Sequence, residues 1–292
     1  MLIRPMTYDD VPAVDTVTAA AFHDLDVRTR PADWPTPEPR SPARSERWQR
    51  RLHHIVEHDG PGCWVAQDDS GEIVGVVAAI LREGLWCLST YAVRPGGQAR
   101  GIGKQLLDAA LTYAAPDSPG FICSSHDPRA VRRYRLAGFD LHPSMVLWGT
   151  VDRSAVPSLP GVREGGVDDL ELLDEIDRLS RGAGHGVDHT VMVDQYALWI
   201  IRNGHRLGYA YTYAAGGPYL LGATDTETAA LLMWASLAEA GDGPIDVDHL
   251  TSQHGWAIDV GLRAGLQVHN RGYLALRGMS PPPAYIPSGH FL

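Results

Sequence analysis

The stretch Leu88-Ser-Thr-Tyr91-Ala92-Val93, then Arg94-Pro95-Gly96-Gly97, then Gln98-Ala99-Arg100-Gly101-Ile102-Gly103-Lys104-Gln-Leu-Leu107 reads as strand, glycine-bearing turn and helix. The helix is amphipathic, with Ile102, Leu106, Leu107 and Ala110 on its inward stripe. Gly101 and Gly103 place successive backbone N–H groups at a helix N-terminus, a geometry suited to cradling a pyrophosphate. Glycine is required there because a side chain would block close approach of the backbone. Arg100 and Lys104 add positive charge. A dinucleotide-binding fingerprint is incomplete, because Gln105-Leu106 leads to no third glycine, and no Gly-Lys-Ser/Thr follows to make a Walker loop.

A second segment carries related information. Phe121-Ile-Cys123-Ser-Ser125 has the look of a buried strand, and His126-Asp127-Pro128-Arg-Ala130-Val-Arg-Arg-Tyr134-Arg-Leu-Ala-Gly138-Phe139 follows it. Gln98-x-x-Gly101-x-Gly103 after a Val-x-Pro strand end resembles the acetyl-CoA signature of the GNAT superfamily of N-acetyltransferases. Ala130, Tyr134, Gly138 and Phe139 match the second GNAT motif, N-x-x-A-x-x-x-Y-x-x-x-G-F, while Asp127 stands where asparagine is usual.

The resemblance implies an α+β fold and acetyl-CoA as cosubstrate. It places the cofactor against Tyr91, Ala92, Val93, Gln98, Ala99, Arg100, Gly101, Ile102, Gly103, Lys104 and Asp127. It also implies direct attack of a small-molecule amine on the thioester, with Tyr134 as the general acid that protonates the departing thiolate. Two other readings stay open: a non-catalytic acyl-CoA sensor or interaction protein, and transfer to a protein N-terminus or lysine. Cys123, inside an apolar strand, is read as packing rather than as a nucleophile.

The chain echoes itself. Ile3-Arg4 with Asp9-Asp10 recurs as Val162-Arg163 with Asp168-Asp169, each a short strand leading into an acidic helix start. Thr7 and Asp10 form a capping box in the first copy. The first helix is expected to turn Val11, Val14, Val17 and Ala21 inward, and the second Leu170, Leu173, Ile176 and Leu179. Ala137-Gly138-Phe139 and Ala264-Gly265-Leu266 form a second pair, each a glycine-capped helix end before a strand.

These echoes predict two GNAT-like domains, each a mixed, mostly antiparallel central sheet flanked by helices. The boundaries expected are 1–150 for the domain with the acetyl-CoA site, 151–161 for a linker, and 162–292 for a degenerate copy with an extended proline-rich tail. The copy is degenerate because Gly222-Ala-Thr-Asp225-Thr-Glu227 offers no Gly-x-Gly, and Gly261 stands where the first copy has Tyr134. Five prolines between Arg30 and Arg44 suggest a mobile loop or lid.

A net charge of −10 disfavours nucleic acid as a partner. No apolar run is long enough to span a membrane, and the acidic N-terminus does not resemble a secretory signal. These features, with three scattered cysteines, predict a cytoplasmic protein without disulfides; a monomer or homodimer is expected, though no residue pattern selects between them. No metal site is expected: His185 and His189 share a helix face, but no third ligand is evident. Candidates for the base that deprotonates the amine are Asp24, Asp26, Asp33, His126, His185, Asp188 with His189, and the carboxylate of Leu292.

Overall fold

The computed structural model describes residues 1–32, 34–97 and 101–292. Along the chain one order of elements occurs twice. The first copy comprises β1 (Leu2–Pro5), α1 (Val11–Thr29), α2 (Pro42–Asp59), β2 (Cys63–Gln67), β3 (Ile73–Arg82), β4 (Leu85–Val93), α3 (Ile102–Leu111), β5 (Gly120–Ser124), α4 (Pro128–Leu136) and β6 (Asp140–Gly149). The second comprises β7 (Val162–Glu164), α5 (Leu170–Ser180), α6 (Asp188–Gln195), β8 (Ala197–Asn203), β9 (Arg206–Thr212), β10 (Pro218–Ala223), α7 (Thr226–Ala238), β11 (Ile245–Leu250), α8 (Gly255–Arg263) and β12 (Gln267–Arg277), followed by a short β13 (Tyr285–Ile286) in the tail.

Contacts group Met1–Leu81 with Trp86–Ser118 as one body, and Arg82–Leu85 with Pro119–Leu292 as another. In the first body the strands run in the order β1-β2-β3-β4, with β1 antiparallel to β2 and β2 antiparallel to β3. Val11, Val14 and Val17 of α1 are buried, as are Trp48, Leu52 and Ile55 of α2. On α3 the buried positions are Ile102, Leu106, Leu107 and Ala110, the stripe expected from its period. The proline-rich segment between α1 and α2 is tied down at Arg40. Its guanidinium pairs with Asp15 of α1 and lies 4.8 Å over the Trp48 ring.

The second body explains why contacts divide the chain near residue 118 rather than within 150–161. One sheet there runs β5-β12-β6-β11, so strands of the two copies alternate. The last strand of each copy pairs with the penultimate strand of the other: β12 with β5 (Tyr273↔Ser124, Leu276↔Phe121) and β6 with β11 (Trp148↔Asp246, Leu147↔Val247). The two last strands also pair with each other, antiparallel, from Gln267↔Trp148 to Leu276↔Asp140. A bulge in β12 admits this only with glycine at position 272, where φ is +70° and a Cβ would stand 1.9 Å from the carbonyl oxygen of Ser124. A second sheet, β13-β10-β9-β8-β7, is covered by α5 and α7.

On α5 the buried residues are Leu172, Leu173, Ile176 and Asp177, while Leu179 is 63% exposed. The expected stripe is thus corrected at Leu170 and Leu179. An i, i+3 series lags about 60° per step on a helix of 3.6 residues per turn, so three steps carry it about half-way round. The segment 150–161 contains a short 3₁₀ turn and is fastened by the Asp152 N–H, which donates to Ala264 O at 2.8 Å.

Both copies open with the same clamp. Arg4 donates to both carboxylate oxygens of Asp10, each at 2.7 Å, and Asp10 accepts the Thr7 N–H at 2.8 Å. Arg163 grips Asp169 in the same fork at 3.1 and 2.5 Å, and Asp169 accepts the Gly166 N–H at 3.1 Å. The strand is thereby fixed to the helix that follows it.

Hydrogen bonds from Arg4 hold Asp10 below the ordinary carboxylate range, and those from Arg163 do the same for Asp169. A depressed folded-state pKa stabilises fully above the unfolded value of about 4, and that contribution is lost as pH falls through the folded value. Asp10→Asn is therefore expected to lower the melting temperature at pH 7, by a stability loss of about 1 kcal/mol. In melts recorded from pH 7 down to pH 2 the gap to wild type should close below about pH 4. A gap constant across that range would show that the charge of Asp10 is not what stabilises.

Candidate active site

In the first body β4 ends at Val93, and Arg94 to Gly97 turn back with Gly97 N–H donating to Arg94 O at 3.0 Å. Pro95 and Gly96, the latter at φ +80°, fill the two central positions as a type II turn requires. The turn is pinned to β3, because the Arg94 N–H donates to Val74 O and its guanidinium to Ile73 O, both at 2.8 Å. Gln98, Ala99 and Arg100 of the expected signature lie outside the described residues.

Gly101 is the N-cap of α3, in the left-handed region at φ +80°, and no side chain among the described residues caps this helix. At Gly103 a Cβ would fall 2.4 Å from the Tyr91 hydroxyl, so glycine here lets β4 and the first turn of α3 approach. Tyr91, Ala92, Val93, Gly101, Ile102, Gly103 and Lys104 are thus brought together. Ile102 and Ala92 are buried, whereas Lys104 is largely exposed and pairs with Asp108. The first turn of α3 presents its N–H groups with a positive helix end behind them, a chemistry that receives an anion.

In the second body Asp127 is the N-cap of α4. Its carboxylate accepts the Arg129 N–H at 2.9 Å and pairs with the Arg129 guanidinium. Aspartate caps a helix as well as asparagine does, which accounts for the departure from the motif on structural grounds. Tyr134 sits on the inward face of α4, 5% exposed. The helix ends at Gly138, with φ +87°, and Phe139 N–H bonds back to Tyr134 O at 3.1 Å while the Phe139 ring is fully buried. This is a glycine-closed helix end delivering an aromatic residue to the core, and it explains the Gly-Phe pair. A hollow of about 350 Å³ beside α4 is lined by His126, Arg132, Arg135, Leu141 and Tyr273 among others.

The equivalent positions in the second copy are built differently. Asp225 caps α7, accepting the Thr228 N–H at 2.8 Å and the Thr228 hydroxyl at 2.7 Å. This helix start is closed by its own carboxylate. Gly261, the counterpart of Tyr134, packs so closely on β6 that a Cβ would stand 2.4 Å from a Leu147 methyl carbon.

Among the candidate bases, Asp24 forms a surface pair with Arg28 at 3.0 Å, and Asp33 lies outside the described residues. Asp26 lies on α1, and His126 borders the hollow beside α4. His185, Asp188 and His189 are all buried, with Asp188 paired to Arg82 at 2.7 Å. Leu292 is also buried, its main-chain oxygen accepting from Tyr285 OH at 2.7 Å and from Arg181. All three cysteines are free, and burial pushes the Cys63 thiol up to about 12. Sequence reasoning missed Asp177, which lies 2.6 Å from His185 and 3.0 Å from His189. The available signal was an aspartate on the buried stripe of α5, beside Leu173 and Ile176.

No helix among the described residues is long and apolar enough to cross a membrane. Residues 20–139 match the acetyltransferase (GNAT) family. Among curated proteins none matches the chain. Solved structures of the same fold include a Pyrococcus horikoshii protein assigned as an acetyltransferase, 17% identical with a TM-score of 0.73 over 99% of this chain and 95% of that one. A GCN5-related N-acetyltransferase from Sphaerobacter thermophilus is 17% identical, TM-score 0.57, over 96% of each chain. A tandem GNAT protein from the clavulanic acid biosynthesis pathway is 16% identical, TM-score 0.54, over 96% of this chain and 99% of that one. These likenesses are of fold and run through both copies. Residues 20–139 thus carry a match to the GNAT family of acetyltransferases, and the two copies of the chain share the fold of a tandem GNAT protein.

Proposed function

We propose that the chain transfers an acetyl group from acetyl-CoA to the amine of a small molecule in the cytoplasm, acting as a monomer or homodimer without nucleic acid. The observation that carries this reading is the contrast between two helix starts. Gly101 leaves the start of α3 open among the described residues, whereas Asp225 closes that of α7. An open, glycine-flanked helix start suits the cofactor's pyrophosphate, and a carboxylate at the same place repels it. Residues 1–150 are accordingly the cofactor-binding domain, 151–161 the linker, and 162–292 a degenerate copy.

In the reaction the neutral amine nitrogen attacks the thioester carbon, forming the C–N bond. Collapse of the tetrahedral intermediate breaks the C–S bond, and the thiolate takes a proton from Tyr134. The amine proton is lost to a base or to water, and Tyr134 is reprotonated. The strand around Tyr91, Ala92 and Val93 positions the thioester arm. Gln98, Ala99, Arg100, Gly101, Ile102, Gly103 and Lys104 hold the phosphates.

The second reading, an acyl-CoA sensor without turnover, draws on Asp127, whose carboxylate is engaged by Arg129 and stands where the motif has asparagine. Release of free CoA thiol in the presence of an amine panel separates the two.

Gly101→Glu is expected to abolish acetyl-CoA binding in titration calorimetry, because it sets a carboxylate and a strained backbone at the open helix start. Retained affinity would move the cofactor elsewhere. Tyr134→Phe should leave that affinity nearly unchanged and cut turnover by roughly 10²–10⁴-fold, the range of general acid–base catalysis. An unchanged rate would assign the proton to another group or to water.

A further inference from the structure

Asp177 of α5, His185 in the turn before α6 and His189 in its first turn are completely buried, and their ligand atoms lie within 4.8 Å of one another. Asp177 Oδ2 stands 2.6 Å from His185 Nδ1 and 3.0 Å from His189 Nε2. A second carboxylate, Asp174, one turn earlier on α5, brings Oδ1 to 3.6 Å from His189 Nε2. The outward atom of each inner ligand is held in turn. Tyr209 OH donates to Asp177 Oδ1 at 2.5 Å, Tyr211 OH meets His189 Nδ1 at 3.1 Å, and Leu292 O faces His185 Nε2 at 2.8 Å.

The protons in this arrangement do not add up for neutral side chains. Leu292 O is a pure acceptor, so the contact at His185 Nε2 takes the single hydrogen of a neutral imidazole. His185 Nδ1 then turns a bare lone pair toward the lone pairs of Asp177 Oδ2 at 2.6 Å, which only a positive charge between them makes favourable. A shared proton would serve one histidine. A metal ion would serve both histidines and both carboxylates, and the outward hydrogen bonds are those that fix metal-ligating side chains in tautomer and orientation. The Arg181 guanidinium donates to the carbonyls of Ala183, Gly184 and Leu292, and two carboxylates balance a divalent charge.

We propose that Asp174, Asp177, His185 and His189 form a binding site for a divalent transition-metal ion. Mixed nitrogen and oxygen donors of this kind suit zinc and its borderline neighbours. Bonds of about 2.1 Å in tetrahedral geometry put donors about 3.4 Å apart, and the present separations of 2.6, 3.0 and 3.6 Å lie on either side of that value. Asp174, whose side chain is 22% exposed, gives the route from solvent. With its donors otherwise buried the ion is structural, fastening α5 to the glycine-rich turn 182–186 and to α6.

The test uses the full chain, untagged, dialysed against chelator and then equilibrated with Zn²⁺ or Co²⁺. Expected are about one ion per chain retained through gel filtration, a raised melting temperature, and a Co²⁺ visible spectrum of tetrahedral intensity. Asp174→Asn, at a partly exposed position, should fold normally by circular dichroism and weaken binding at least about tenfold. His189→Gln should remove binding, and His58→Ala, on the surface of α2, should not affect it. No bound ion in the wild-type chain, or binding lost with His58→Ala and kept with Asp174→Asn, would overturn the proposal and leave a proton as the bridge.

Discussion

The antiparallel pairing of β6 with β12 is the contact on which the second body depends. Each is the last strand of its copy, and each gives its other edge to the penultimate strand of the opposite copy. An unpaired strand edge in the interior costs a row of backbone hydrogen bonds. Here β6 and β12 are both flanked on two sides, and neither could be so from its own copy alone. The details that permit the arrangement are local: Gly272 at the bulge, and the Ser144 hydroxyl donating to Arg271 O at 2.6 Å across it.

The two copies agree at their opening clamp and diverge at the helix start that follows the fourth strand of each. The fork of Arg4 on Asp10 returns as Arg163 on Asp169, because each copy must fix its first strand to its first helix. At the helix start after the fourth strand of each copy, Gly101 and Asp225 take opposite solutions, one left-handed and without a side-chain cap among the described residues, the other closed by a carboxylate. Tyr134 and Gly261 diverge through packing. The glycine allows α8 to lie directly on Leu147, where a Cβ would stand 2.4 Å from a methyl carbon and force that side chain to shift.

Much of this was legible in the sequence. Glycine and proline at fixed offsets reveal the turn before α3, and the spacing of Ile102, Leu106, Leu107 and Ala110 reveals the helix that follows. The clamp residues could be paired by offset alone. The exchange of strands could not, because periodicity assigns a residue to a strand without saying which strand lies beside it. The inward stripe of α5 was displaced because Leu179 continues an i, i+3 series that winds off the buried face. Asp177 escaped because an acidic residue reads as surface unless its partners, here eight and twelve residues further on, are placed in space.

A duplicated domain usually leaves one copy free to decay or be deleted. Alternation of β5, β12, β6 and β11 removes that freedom here. Deleting the second copy would take β12 from β5 and from β6, and β11 from β6, and so expose the strands that flank α4 and its tyrosine. The second copy is thus held in the chain by main-chain hydrogen bonding, whatever becomes of its ligand chemistry. Its helix starts and loops are open to drift, while β11 and β12 remain answerable to the first copy.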